Sequence, residues 1–518
     1  MPAYARALLP VLAGIGRHRF FAIALTAAAV LRVVTMLGYP PARLYWYDSF
    51  SYLHNAVHLR PEQGFHPIGY PLLLRVLLPF HSVELVVVLQ HAMGLATGVI
   101  VYAALRGRGL PAWGAVLASA PVLFDASFLR LEHAVLSDSL FILLVVAATA
   151  LLVRRPVPSA RAAATACLLL AGATLTRTVA LPLILLVLMV LAVRRVPWRR
   201  IAALALAGLL PVAAYATWYG GLHGRFGVSG TDGVALWARS MTFADCAVIQ
   251  PPPDLAPLCP NGTVLDAAGE YVWAEESSLN RLPGGHIALN DRARAFALRA
   301  IAAQPLDYLR DVVTDTALAF AWTPVAHPAR TVPAFGFALG TWPLPAGRPL
   351  VEQARREYDP DLTGMRSVRP YADLLIAYQH PAYLRGPLLA VILLMGAAGT
   401  VGRVGRLGRV GRGDTVRRPR TAALPWAVAV TLLVAPVAVL DFDHRYVLPA
   451  VPVACLAAGL ALARPPRAAA GIGSGGGHRK WRRASEVAAG IGRSGGHSYG
   501  GHSGGRREAP LREATADA

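Results

Sequence analysis

Charge is scarce in this 518-residue chain: Asp, Glu, Lys and Arg make up only 15% of it, against roughly 25% in an ordinary soluble domain. Together with 55% hydrophobic residues and a mean hydropathy of +0.46, that shortage excludes a water-soluble globular protein with a single buried core. It requires many apolar segments, each of roughly 20 residues, to span about 30 Å of hydrocarbon. Lysine is nearly absent, with Lys480 alone, so the positive charge is carried by arginine. Cysteine is limited to four residues. No cleavable signal peptide is expected, because the first apolar run, 20–37, is too long for a signal core and reads as a retained helix.

Acids are missing from particular places. Ten spans are expected: 20–38, 83–105, 110–127, 134–153, 162–177, 179–193, 201–219, 386–402, 422–440 and 447–463. With the N-terminus inside, every arginine-rich break falls on one side: Arg17 and Arg19, Arg106 and Arg108, Arg154 and Arg155 with Arg161, Arg194 to Arg200, and the seven arginines between 403 and 420. These segments and the tail hold 29 of the 50 basic residues and 5 of the 29 acids. Basic charge confined to short cytoplasmic loops is the positive-inside signature. It accounts for the net charge of +21 without a nucleic-acid partner. The expectation is an all-α polytopic cell-membrane protein, multi-pass, with both termini cytoplasmic.

The organisation follows. Residues 1–19 form a cytoplasmic flank, and 20–219 a transmembrane module whose first outer loop is 39–82. An α-rich extracytoplasmic domain (220–385) is inserted after the seventh span. C-terminal membrane helices occupy 386–463, and a disordered basic tail 464–518. The tail is Gly-, Arg-, His- and Ser-rich, which suits disorder and contact with anionic membrane lipids. Within the outer domain, 286–322 has helical periodicity with Ala295, Leu298, Ile301, Ala302, Leu306, Leu309 and Val313 on one side. Pro305 interrupts it. It lies either on the membrane surface or against its own domain. Cys246 and Cys259, in the same region, are placed to form a disulfide if that region faces an oxidising exterior.

Ionisable residues collect at the outer ends of helices, and a membrane protein keeps such groups only where they act. In Tyr45-Trp-Tyr-Asp48-Ser-Phe-Ser-Tyr52, a helix starting near Asp48 puts Asp48, Tyr52 and Asn55 on one face. Asp48 suits either catalysis or an N-cap. Phe65-His66-Pro-Ile-Gly69-Tyr-Pro71 brings His66 to the mouth of the next helix. Arg130-Leu-Glu132-His133-Ala-Val-Leu-Ser-Asp138 opens the fourth span, with Asp138 about a turn inside it. Arg177 and, in Asp441-Phe-Asp-His444-Arg445-Tyr446, Arg445 suit the bidentate holding of a phosphate. Glu84, His91 and Arg32 are the exceptions, lying within helices.

This ordered set resembles the C-type membrane glycosyltransferases (GT-C fold), the broad group with protein mannosyltransferases and lipid A aminoarabinose transferases. The resemblance covers about residues 20–465. It implies transfer of a hexosyl or pentosyl group from a polyprenyl-phosphate sugar donor to a cell-envelope glycan, glycolipid or protein acceptor outside the membrane. It also implies Asp48 as the central acid, with Glu132 and Asp138 as further catalytic candidates. Tyr52, His66, Arg130, His133, Arg177, His444 and Arg445 are then candidates for binding substrate. Many members have two adjacent acids where this chain has Asp48-Ser49. No metal ligand is assigned, and a divalent metal ion stays open. The alternatives are a transporter or flippase of a lipid-linked sugar, and a scaffold whose outer domain binds envelope polymers. The first expects internal repeats and a midplane site.

Overall fold

The computed structural model describes residues 3–45, 47–62, 64–155, 158–328, 336–401 and 421–463, with side chains from His18 onward. Trp46, the arginine-rich loop 402–420 and the tail with His478, His497 and His502 lie outside the described residues. The described part is helical, with one short antiparallel pair, Thr341–Trp342 with Met365–Arg366.

The chain begins with α1 (Ala3–Gly38), kinked at His18. The stretch 39–82, expected to be the first outer loop, contains α2 (Asp48–His58) and α3 (Gly69–Leu77). Then come α4 (Val83–Gly107), α5 (Ala112–Phe124), α6 (Ala126–Glu132), α7 (Asp138–Val153), α8 (Ala160–Thr176), α9 (Leu181–Val193) and α10 (Trp198–His223). Hydroxyl and carboxylate caps start several of them. Ser82 and Ser159 accept from the amides of Leu85 and Ala162, each at 3.2 Å. Asp125 accepts from the amide of Ser127 at 2.7 Å, and at that cap α6 bends away from α5 by 52°.

Helix fills most of each of the ten expected spans, with 134–137 non-helical and 402 outside the described residues. Four helices, His18–Gly38, Val83–Gly107, Trp198–His223 and His444–Leu462, are long and apolar enough to cross a membrane, or five if the bent pair α5–α6 is one span. The other apolar helices have 10–17 residues, and at 1.5 Å per residue even 17 reach only about 25 Å. Large apolar side chains point outward from these helices, among them Phe20, Ile23, Val30, Leu206, Leu210, Leu388, Val391 and Leu394. Exposed apolar surface on that scale is tolerated in lipid and not in water, and the chain is a membrane protein.

The region 220–385 holds α11 (Asp232–Ser240), α12 (Cys246–Ile249), α13 (Ala268–Trp273), α14 (Gly285–Ala303), α15 (Pro305–Ala317), α16 (Pro349–Glu357) and α17 (Tyr371–Gln379). Its described residues feed more than one core. Trp237, Leu258, Leu279 and Phe296 close a core of their own. Met365, Ala372 and Leu375 instead pack with Tyr39 and Leu129. Cys246 and Cys259 are joined in a disulfide. The helical stretch breaks at Gln304, where Pro305 takes the first position of α15. Ala295, Leu298, Ala302, Leu306, Leu309 and Val313 are exposed, whereas Ala293, Phe296, Ala297 and Ala300 face the core. The apolar stripe read from the periodicity is therefore not what packs α14 on its domain.

The chain closes with α18 (Gly386–Thr400), α19 (Ala423–Val439), α20 (His444–Val447) and α21 (Ala450–Leu462).

Candidate functional site

Asp48 is the first residue of α2, and Tyr47 occupies the cap position without a side-chain capping bond. The Asp48 carboxylate is engaged elsewhere. Arg445 Nη1 donates to its Oδ2 at 3.2 Å, and His66 Nε2 lies 3.2 Å from its Oδ1. A carboxylate only accepts, so Nε2 carries the hydrogen and donates. His66 Nδ1 is 3.1 Å from the Tyr52 hydroxyl, which is 3.1 Å from Ser137 Oγ. The i, i+4 spacing of Asp48 and Tyr52 thus presents both to His66. The pair is held by α2 burying Phe50, Leu53 and Ala56, and by Ser51 and Asn55 donating to Glu62 Oε2 at 2.6 and 2.8 Å. At Gly69, which starts α3, a Cβ would lie 2.6 Å from the Leu175 carbonyl. Only glycine lets the His66 turn approach the end of α8 so closely.

Arg445 also reaches Asp443, Nε to Oδ2 at 3.1 Å. Its guanidinium carbon stands 5.1 Å from the Tyr446 ring centroid, and that of Arg177 stands 5.0 Å from the same ring. Arg177 Nη1 donates to Asp138 Oδ1 at 2.5 Å. Two arginines, three carboxylates, an imidazole and two phenols therefore converge from the stretch between α1 and α4, the start of α7, the end of α8 and the stretch from Asp443 into α20. Burial would raise the Asp48 pKa; the hydrogen bond and charge of His66, then the Arg445 guanidinium, outweigh it and hold the carboxyl well below its usual range. Asp443 shifts the other way: burial pushes it up, and Arg445 offsets only part. The Asp48 side chain retains 23% of its exposure, enough to meet a substrate.

Of the residues expected from sequence, Asp48, Tyr52, His66, Asp138, Arg177 and Arg445 are brought together. Asp138 opens α7 in its first turn and is not a turn inside the helix, because 133–137 is not helical. That segment is a strap held by Arg43, whose N donates to His133 O and whose O accepts from Val135 N, both at 3.0 Å. Ser49 Oγ donates to the Val135 carbonyl at 2.8 Å.

The strap separates Glu132 from Asp138. Glu132, 2% exposed, accepts from Arg32 at 2.8 Å and faces His91 Nδ1 at 3.0 Å. It stands apart from Asp48 in the helix packing. Arg130 lies among the rings of Tyr39, Phe337 and Trp342. His133 donates to the Tyr39 carbonyl at 2.7 Å. His444 turns to the Tyr383 hydroxyl at 3.0 Å. The side chains of these four take their partners elsewhere, although His444 stands between Asp443 and Arg445 in the chain.

Sequence reasoning passed over Ser137, Asp443 and Tyr446 as site residues. The signal for the last two was the string Asp443-His-Arg-Tyr446, in which Asp443 also caps α20 by accepting from the Arg445 amide at 2.9 Å.

No protein-family model matches the chain, and no curated protein matches it. Among solved structures, it is similar to one described as the S. cerevisiae protein O-mannosyltransferase Pmt1-Pmt2 complex bound to the sugar donor. The identity is 15% and the TM-score 0.31, over 48% of this chain and 37% of that one. A likeness at that TM-score carries no argument about function, which has to come from the site.

Proposed function

We propose that this chain is a membrane glycosyltransferase that moves a sugar from a polyprenyl-phosphate donor to an acceptor hydroxyl on the outer side of the membrane. The observation that carries the reading is the Asp48 carboxylate, held by Arg445 and His66 beside a second arginine, Arg177. Transfer forms a bond from the acceptor oxygen to the sugar's anomeric carbon. The bond to the phosphate oxygen breaks, and its electron pair leaves on the lipid phosphate. Arg177 and Arg445, both against the Tyr446 ring, hold that phosphate. Asp48 takes the acceptor's proton.

In the resting site Asp48 is a weak base, because His66 and then Arg445 stabilise its charge. A bound phosphate shares Arg445, so the carboxylate becomes more basic when donor is present. An apolar cavity of about 950 Å³ between α5, α18 and α21 is lined by Leu117, Phe124, Tyr383, Leu388, Ile392 and Gly459. It supplies room for an isoprenoid chain, and at one end Tyr383 meets His444, the neighbour of Arg445.

Ten crossings with both termini inside complete this reading, the short helices tilting little and thinning the bilayer locally. Reporter fusions after Arg155 and Arg199 should report cytoplasm and fusions after Pro260 and Pro360 the exterior. A cytoplasmic signal at both of the latter would sink the topology.

The activity is tested in membranes with a panel of radiolabelled polyprenyl-phosphate sugars. Arg177→Ala and Arg445→Ala should each lower kcat/KM by about 10–100-fold, the loss of roughly 1.5–3 kcal/mol from a charge-assisted hydrogen bond. Part of the loss should show as a raised donor KM, since the phosphate is charged before and during transfer. Unchanged donor KM in both variants would remove them from phosphate binding.

A transporter or flippase of a lipid-linked sugar is the second reading, favoured by the buried Arg32–Glu132–His91 network, since intramembrane charges mark translocation routes. It requires lipid-linked sugar to cross liposomes without any glycosyl transfer.

A further inference from the structure

The outer region contains a second polar centre that the transfer reading does not use. Asp315 is near the end of α15, His327 lies in the segment after it, and Asp441 follows α19. One ligand atom from each lies within 4.8 Å of the other two. Asp441 is 8% exposed and is fixed before any ligand arrives. Its Oδ2 accepts from the Gly269 amide at 2.8 Å and its Oδ1 from the Phe442 amide at 2.7 Å. The same Oδ1 lies 2.9 Å from His327 Nε2. Asp315 is braced from behind by the fully buried Arg239.

Two stretches of chain, α15 with the segment after it and the residues following α19, 114 residues beyond His327, thus bring one imidazole nitrogen and two carboxylates together. Their meeting point borders a cavity of about 530 Å³ lined by Asp315 and His327 together with Thr242, Asp266, Asp311 and Thr314. A plain ion pair would need His327 and one acid; it would not need Asp315 turned to the same place, nor an oxygen-rich cavity beside it.

We infer that Asp315, His327 and Asp441 form a binding site for a divalent cation, with its open coordination positions facing this cavity. One nitrogen and two hard oxygens suit Mn²⁺ or Zn²⁺ and not a soft, thiolate-seeking ion. Three protein ligands leave positions free for water or for hydroxyl groups of a bound sugar. To bind, the metal takes the lone pair of His327 Nε2, and the imidazole hydrogen moves to Nδ1. The two backbone amides on Asp441 and the guanidinium on Asp315 act as the outer partners that orient the ligands. Asp441 stands four residues before Arg445, so an occupied site ties α15 to the stretch that leads into α20 and that arginine. The inference is independent of the glycosyl-transfer reading.

The test uses the full chain in lipid nanodiscs, stripped with a chelator and titrated with Mn²⁺ alone. Bound metal is followed by electron paramagnetic resonance. Wild type should take up one Mn²⁺ saturably, with nitrogen modulation from a directly bound imidazole. His327→Ala should lose that modulation and weaken binding by at least about 10-fold. Asp315→Asn, which keeps the size of the side chain, should weaken binding to a similar degree, covering the case in which the His327 variant fails to fold. Asp48→Asn should bind Mn²⁺ as wild type does, so failure of the catalytic reading and failure of this one are distinguishable. Absence of saturable uptake, uptake without nitrogen modulation, or equal affinity in wild type and both cavity variants would each overturn the site.

Discussion

Asp48→Asn should reduce turnover by about 10²–10⁴-fold, the usual contribution of a positioned general base, while the protein still inserts and still binds donor. The substitution keeps the size of the side chain and can still accept from His66 Nε2. It removes the charge that Arg445 and His66 face at 3.2 Å. With that charge gone, Arg445 is less occupied in the resting site, so donor binding should hold or tighten while kcat falls. An N-cap role would predict near-silence, because Asn caps about as well as Asp, but no capping bond is made. The measurement is kcat and donor KM in membranes, and near-wild-type kcat would remove Asp48 from the mechanism.

The depressed pKa of Asp48 adds a pH signature. A carboxyl held low in the folded site contributes stability that is present above its unfolded value and is lost only as pH falls through the lower folded value. Mild acidification to about pH 5, still above an ordinary carboxyl's range, should therefore leave the Asp48–Arg445 pair intact.

Glu132→Ala should act on stability more than on chemistry. Arg32 is 2% exposed and donates to the Val122, Leu123 and Ala28 carbonyls at 3.0–3.2 Å as well as to Glu132. Removing its one carboxylate partner leaves a buried guanidinium uncompensated, which costs about 3–5 kcal/mol. Thermal unfolding in detergent should show a large loss, and Glu132→Gln a smaller one, since the amide keeps a hydrogen-bond acceptor near Arg32. Gly94→Ala should move stability the same way, because a Cβ there would stand 1.8 Å from Glu132 Oε1. If Glu132 were the base, Glu132→Ala would abolish transfer with unchanged thermal stability. That outcome would return it to the catalytic set.

The apolar helices were legible because each is a continuous apolar run bounded by arginines, prolines or loop residues, a local property that periodicity and length report. Asp48 and Tyr52 on one face of α2 were legible for the same reason: a helix fixes the i, i+4 relation by geometry. The break at Pro305 followed from a ring that cannot continue an α-helix.

What the sequence by itself determined is therefore the inventory: which segments are apolar helix, and which acids, arginines and histidines sit at their ends. Only the tertiary structure decided how that inventory is divided. Glu132 and Asp138 are six residues apart, yet the strap at 133–137 sends one to Arg32 and His91 and the other to Arg177. Asp48 and Arg445 are separated by 397 residues and share a hydrogen bond. Asp315, His327 and Asp441 meet without any common motif. The physical reason is that apolar patterning says how much of a helix is buried but hardly against which neighbour. An ion pair between distant segments depends on that choice of neighbour, which the packing of side chains across the whole bundle makes.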